Sequence, residues 1–370
     1  MTGSPVGLMA QIRAFVEGDI TRVARLHTTV FKTSQHADAE TLDAYHDYFT
    51  RVFLNSPLRD SSLPSLVYED GDSIVGFLGV VPRRMMMKGR AFQAAISSQF
   101  VVDPAARAGL VAMRLVRTFF EGPQSLSISD EGNDIARKIW EGLGGMTVLL
   151  RSLHWTRPLR PATLAVSTLQ TRPNLAPLAL SARPVARVVD AIATRLAHSH
   201  FHQVKPGGSR AEMLTEQAVL DFISELDASG SLHVDYDERT LRWVLEQARR
   251  RRAGGSLHGA VVKRHGSTIG WYFYHLDSDR VANVLHFAAT RALAGDVLGH
   301  LFFQATDHGA IAATGRLEPR YLQALSDNYC LFHRRGPWVL VNSKRPDLIR
   351  SFETDEALFS RFDGEWCLGY

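Results

Sequence analysis

Hydrophobic positions along the chain recur with two periods, one near 3.6 and one of 2, and the switches between them mark out the elements. Residues 12–16 alternate as a short strand. Gly18-Asp19 then opens a helix, with Asp19 placed to cap it and Ile20, Val23, Leu26 and Val30 on one face. A second amphipathic helix over 42–54 carries Tyr45, Tyr48, Phe49, Val52 and Phe53, and Asn55-Ser56-Pro57 ends it. Strands at 65–68 and 74–81 flank Glu69-Asp70-Gly71-Asp72, a hairpin turn with Asp-Gly at its centre. Met85-Met86-Met87 falls between two strands. It reads as a hairpin packed on its neighbour or, alternatively, as a repackable apolar wall for a lipid-like substrate.

The stretch 92–145 organises the rest. Residues 92–102 form a strand that Asp103-Pro104 stops, because the residue before a proline is pushed out of the helical region. Leu110, Met113, Leu115, Val116, Phe119 and Phe120 then recur at helical spacing, with Arg114 and Arg117 on the other face. A strand at 125–129 follows, then a helix at 133–143 closed by Gly144-Gly145. The turn at 105–109 is built of small residues plus Arg107. It would let a phosphate approach the unpaired N–H groups at the start of the helix, although such a turn can equally be a tight connection and nothing more.

After Gly145, residues 146–155 read as one long strand that Pro158 and Pro161 break. The domain boundary is placed there: 1–157, a proline-punctuated helical linker over 158–212, and 213–370. Within the linker, a helix over 185–196 sets Val188, Val189, Ile192 and Leu196 on one face beside Arg187 and Arg195. This is the pattern of a packed linker helix or of one lying on a membrane surface. The third segment repeats the plan of the first. It has helices at 216–226 and 238–249, a hairpin around Arg264-His265-Gly266, a strand at 280–288, a helix at 297–308 and strands at 310–314 and 338–342.

The residues Val102, Pro104, Arg107, Ala112 and Leu115 spell V-x-P-x-x-R-x-x-x-x-A-x-x-L. Asn133, Ala136, Trp140 and Leu143-Gly144-Gly145 spell N-x-x-A-x-x-x-W-x-x-L-G-G. Together, at this separation, they resemble the acyl-CoA-binding core of the GNAT N-acetyltransferase superfamily. The doubled plan resembles tandem GNAT proteins and the Fem-type transferases. The resemblance implies an α/β (α+β) fold of two GNAT-like domains, each a mixed, mostly antiparallel sheet flanked by helices. It implies acyl-CoA on the N-terminal copy, held by Val101, Val102, Arg107, Ala108, Gly109, Leu110, Val111, Ala112, Asn133, Ala136 and Trp140. It also implies an N–H around Val101–Val102 that polarises the thioester carbonyl. Leu110 and Ala108 replace motif glycines and Trp140 replaces the usual tyrosine acid, so Trp140 is expected against the pantetheine arm. The equivalent turn of the second copy carries Asp296, which would repel a phosphate.

Composition narrows the class without choosing within it. With 45% hydrophobic and 22% charged residues, the chain is that of an ordinary globular protein, and no run reaches the length of a membrane span. Two cysteines, Cys330 and Cys367, fit a reducing, cytoplasmic setting and leave no cysteine-based metal site. A net charge of +4 without interleaved aromatics gives no reason for nucleic-acid binding.

Transfer of an acyl group to an amine needs a base. The strand 92–102 carries no ionisable side chain, so the candidates lie elsewhere. Asp130 and Glu131 end the next strand, and His286 sits on the equivalent strand of the second copy, with an expected pKa near the ordinary histidine value. The expected activity is acyl-CoA-dependent N-acylation, without a metal, of an amino sugar or amino-acid precursor of a cell-surface glycan in a bacterial-type cytoplasm. An acyl carrier protein is the alternative donor. The alternatives are long-chain N-acylation of an amino-lipid with peripheral membrane contact, and a degenerate fold that only binds acyl-CoA.

Overall fold

The structure, a computed structural model, describes residues 10–31, 39–106, 108–170, 172–196, 199–228, 230–250 and 255–369. In the first part of the chain, β1 (Gln11–Ala14) leads into α1 (Ile20–Phe31) and α2 (Ala39–Phe49), which are followed by the hairpin strands β2 (Leu66–Asp70), β3 (Ser73–Met87) and β4 (Arg90–Val102). α3 (Ala108–Phe120), β5 (Leu126–Gly132), α4 (Asp134–Gly142), β6 (Met146–Thr147) and β7 (His154–Pro158) follow. The helical pair α5 (Pro161–Gln170) and α6 (Ala176–Ala193) separates these from β8 (Arg210–Met213), α7 (Glu216–Ala228), β9 (His233–Val234) and α8 (Glu238–Arg250). Then come β10 (Ser256–Arg264), β11 (Ser267–Leu276), β12 (Val281–Ala289), α9 (Ala294–Asp307) and β13 (Ala312–Arg316). α10 (Leu322–Asp327), β14 (Leu331–His333), β15 (Trp338–Asn342) and α11 (Pro346–Glu353) complete the series.

The strands form two mixed, mostly antiparallel sheets of the same plan. One runs β1-β2-β3-β4-β5-β15-β6 and the other β8-β10-β11-β12-β13-β7-β14. The parallel contacts within the sheets are β4 with β5 and β12 with β13. Helices cover the faces, which makes this a mixed α/β fold. β3 shows why its sequence reads as an almost unbroken apolar run. Phe77, Val81 and Met85 pack into the core shared with α1 and α2, whereas Leu78 and Val80 pack against α3 and α4.

Three expected elements change shape. β3 does not stop before the methionines: it continues to Met87, Met85 pairs with both Phe92 and Val234, and Met85 and Met87 are buried in the main core. The reason is that a third strand, β9, covers their edge. Residues 146–155 are not one strand, because β6 joins the first sheet beside β15 and β7 joins the second beside β13. The chain crosses between sheets at a short turn where the fully buried Arg151 pairs with Glu318 at 2.6 Å and donates to the carbonyls of Phe352 and Ala357. The linker helix starts earlier than its apolar spacing suggests, since α6 runs straight through Pro184.

β15 and β7 are exchanged: each comes from one half of the chain and completes the sheet built mainly by the other. Beyond α11 the chain threads between the two sheets. Phe362 N donates to the Leu285 carbonyl of β12, while Arg83 Nε of β3 donates to the Asp363 carbonyl.

Candidate active site

β4 and β5 pair at Ala94–Leu126, Ala95–Ser127 and Ile96–Ile128, and just before them Ser125 N donates to the Gln93 carbonyl. Beyond Ile96, β4 stays with β3 while β5 stays with β15, so the two strands part. The parting begins next to a bulge. The register against β3 slips between Phe77 and Gly79, and Gln99 adopts a φ of 52°, a left-handed conformation that a non-glycine residue holds only under constraint. Such a bulge turns a backbone N–H out of the ladder.

The constraint comes from the C-terminal segment. Gln99 N donates to Glu365 Oε1 at 2.7 Å, and Glu365 N donates to Asp130 Oδ1 of β5, also at 2.7 Å. Glu365 thus spans the gap, held to one strand by its side chain and to the other by its backbone. Gly364 permits this approach, because a Cβ there would stand 2.0 Å from Asp130 Oδ2. Asp130 is itself fixed by Arg316 of β13 at 2.9 Å, and both side chains are buried. Burial pushes the Glu365 carboxyl up to about 8, opposed by the Gln99 N–H and reinforced by the neighbouring charges of Asp130 and Glu131. Glu365 nevertheless keeps partial contact with solvent.

The second sheet parts at the corresponding place, beyond Val284–Gly315. Here the gap is filled. Tyr321 Oη exchanges hydrogen bonds with the backbone of Ala289, Phe362 N reaches Leu285, and the pocket that remains is about 20 Å³, room for about one water. His286 lies there. Its ring stacks on Trp271 at 4.0 Å, and Nδ1 lies 2.7 Å from Ser360 Oγ, which donates to Asp363 Oδ2 at 2.8 Å. Burial pushes the imidazole down to about 4 despite the charge of Asp363, so the expected near-ordinary value gives way to a neutral ring.

The other expected residues divide between the surface and the core. Val101 is buried and Val102 half-buried, paired across to Phe77 and Gly76. The N–H turned out at the bulge is therefore that of Gln99, two residues earlier than the expected position. Arg107 lies outside the described residues. Ala108 begins α3, with Gly109 and Leu110 exposed on its first turn, while Val111 and Ala112 pack inward. Asn133 is the cap of α4, accepting from Ala136 N at 2.8 Å. Trp140 is buried edge-on against Phe120, with ring centroids 4.8 Å apart, so its indole is committed to the core between α3 and α4. Glu131 lies 3.5 Å from Arg361. The structure therefore gathers Asp130 and Glu131 around Glu365 and leaves His286 in the other gap. Sequence reasoning missed Glu365, Gln99 and Gly364. The available signal was the dense mixture of aromatic and acidic residues over 359–368, too apolar for an idle tail.

Among the described residues, no cluster of His, Cys, Asp or Glu is arranged to hold a metal ion, and no helix is long and apolar enough to cross a membrane.

Residues 11–125 match the family model of the acetyltransferase (GNAT) domain. No curated protein sequence matches the chain. The fold is similar to those of a GCN5-related N-acetyltransferase from Anabaena variabilis (TM-score 0.57, 9% identity, 91% of this chain and 73% of that one) and another from Kribbella flavida (0.52, 14%, 90% and 71%). It is also similar to that of Saccharomyces cerevisiae N-myristoyltransferase, solved with bound myristoyl-CoA (0.50, 10%, 92% and 81%). The fold is thus GNAT-like over about nine-tenths of the chain, and the matching domain model covers β1 through α3.

Proposed function

We propose that the protein is an acyl-CoA-dependent N-acyltransferase whose reaction takes place where β4 and β5 part. The observation that carries this reading is the pairing of the Gln99 N–H with the Glu365 carboxyl inside the gap. A donor thioester entering there finds an N–H aimed out of the ladder, which can take the carbonyl oxygen and stabilise the oxyanion. Taking that N–H displaces Glu365, which has given up its proton to solvent as the pH rises through about 8 and, as a carboxylate, accepts a proton from the attacking amine. The amine nitrogen bonds to the carbonyl carbon, the C–S bond breaks, and the CoA thiolate leaves and is reprotonated from solvent. Donor binding and release of the base are then one event. The pyrophosphate would rest on the first turn of α3, near Gly109, with Arg107 adding charge.

The first-choice acceptor, an amine of a cell-surface glycan precursor, rests on the resemblance to Fem-type transferases. One observation favours long-chain acylation of an amino-lipid instead: the outward face of α6 is apolar.

The test is kinetic. Glu365→Gln should lower kcat by about a hundredfold or more and remove a rate increase that the unmodified enzyme shows through about pH 8. CoA affinity, read by titration calorimetry, should stay the same in that variant. Arg107→Glu should instead weaken CoA about tenfold, or about 1.4 kcal/mol. Near-normal turnover by Glu365→Gln would remove the base assignment, and unchanged CoA affinity in Arg107→Glu would remove the donor site.

A further inference from the structure

α6 presents a feature that neither the core nor the candidate active site uses. It packs on α5 through small residues, Ala179 and Ala186, together with Asp190. Asp190 is buried and accepts from the N–H groups of Ala162 and Thr163 at 2.9 and 2.8 Å, so it caps the start of α5. With its inner face made of alanines, the helix has nowhere to bury its large residues. Leu178, Val185, Val189 and Ile192, spaced by seven, four and three, form one row pointing into solvent, and Leu196 is exposed just beyond the end of the helix. Val185 is 65% exposed, Ile192 57% and Leu196 59%. Single exposed aliphatics are ordinary on a protein surface, but four in one helical row are not.

Charge identifies what covers the row. Arg172, Arg183, Arg187 and Arg195 are all exposed, and the one acid between residues 161 and 196 is Asp190, which is buried and engaged. Residues 161–196 therefore expose aliphatic and cationic side chains and no acid. A second copy placed symmetrically on this face would bring like charges together. An anionic lipid surface instead suits both features, with aliphatic side chains entering the acyl boundary and arginines meeting phosphates. We infer that α6 docks the protein, in the plane of the interface, onto a membrane surface rich in anionic phospholipid. The inference stands whichever acceptor the enzyme uses.

Vesicle sedimentation of the full chain tests it. The protein should pellet with vesicles of phosphatidylcholine mixed with phosphatidylglycerol and remain in solution with phosphatidylcholine alone. Raising salt should release it, since each arginine contributes about fivefold at an anionic surface. Val185→Glu combined with Val189→Glu should reduce partitioning about tenfold. Both positions are exposed, so the melting temperature should not change, and a circular dichroism melt checks that. Arg183→Glu with Arg187→Glu should give a similar loss without altering the apolar row. Failure to bind the mixed vesicles at low salt would overturn the inference, as would binding that is indifferent to lipid charge. So would a concentration-dependent dimer that the Val185 and Val189 changes abolish, which would make the face a contact between copies.

Discussion

Glu365→Gln offers a measurement of stability that is independent of turnover. The Glu365 carboxyl is held near 8 in the folded protein against an ordinary 4.5. A group with a raised folded pKa binds its proton more tightly when folded. Its stabilising contribution is therefore complete below about pH 4.5 and is lost as pH rises through about 8. At about 1.4 kcal/mol per pH unit, the full loss is roughly 5 kcal/mol, an upper figure because the residue keeps some solvent contact that screens its charge. Unfolding entropy scales with chain length, to about 0.8 kcal/mol per kelvin for 370 residues, so the loss corresponds to roughly 6 °C in melting temperature. Glutamine retains an oxygen that accepts the Gln99 N–H but does not ionise. Calorimetric melts of both proteins from about pH 5 to about pH 9.5 should show the unmodified chain losing ground to the variant by several degrees, mostly between pH 6 and 8.5 or so. Titrations elsewhere affect both proteins alike and cancel in the difference. Melting curves that stay parallel across this range would show that the carboxyl is not held protonated in the gap, and the reasoning about its environment would fail.

Three further outcomes are expected. Asp130→Ala leaves Arg316 buried without its 2.9 Å partner and should cost about 3–5 kcal/mol by denaturant unfolding, with part recovered when Arg316→Met is added; additive losses would refute the pairing argument. His286→Ala should keep turnover within about threefold while lowering stability by about 2–4 kcal/mol, because it empties space beneath Trp271; a hundredfold loss of kcat with unchanged melting would restore its role as a base. Gly364→Ala introduces a Cβ 2.0 Å from Asp130 Oδ2 in a backbone conformation that any residue can adopt (φ −97°). Any loss is therefore steric, and unfolding titration should show at least about 1 kcal/mol; no change would mean that the segment can shift away from Asp130.

What the sequence reveals here follows the range of each interaction. The helices and hairpins of both halves are legible because their periods are local, and Asp-Gly at Asp70–Gly71 marks its turn without tertiary help. The crossing at 146–158 is not, since only the partners of β6 and β7, β15 and β13, place them in different sheets. Placing an acid near the core was within reach at Asp130, but its partner Arg316 lies 186 residues away. The bond between Gln99 and Glu365 spans 266 residues and leaves no periodic trace at either end. His286 illustrates a different limit. On a strand buried on both faces, alternation does not distinguish a side chain lining a cleft from one sealed under Trp271.

The two sheets follow one plan, yet their gaps differ, and a single short segment makes them differ. Phe359 and Phe362 help close the second gap, where the Arg316 guanidinium meets the Phe359 carbonyl and Phe362 N meets Leu285. Three residues after Phe362, Glu365 enters the first gap. Between them Asp363 ties both sides, its carbonyl accepting from Arg83 of β3 and its carboxylate receiving Ser360 and Tyr236. Rigidity at one gap therefore sets position at the other. The exchange of β7 and β15 acts in the same direction, because neither sheet is complete without a strand from the other half of the chain. In this geometry His286 of the second half stays stacked on Trp271 in the second gap. That half provides the fixed side against which the C-terminal segment is braced, so that one carboxyl group reaches a backbone N–H of β4 and keeps a path to solvent.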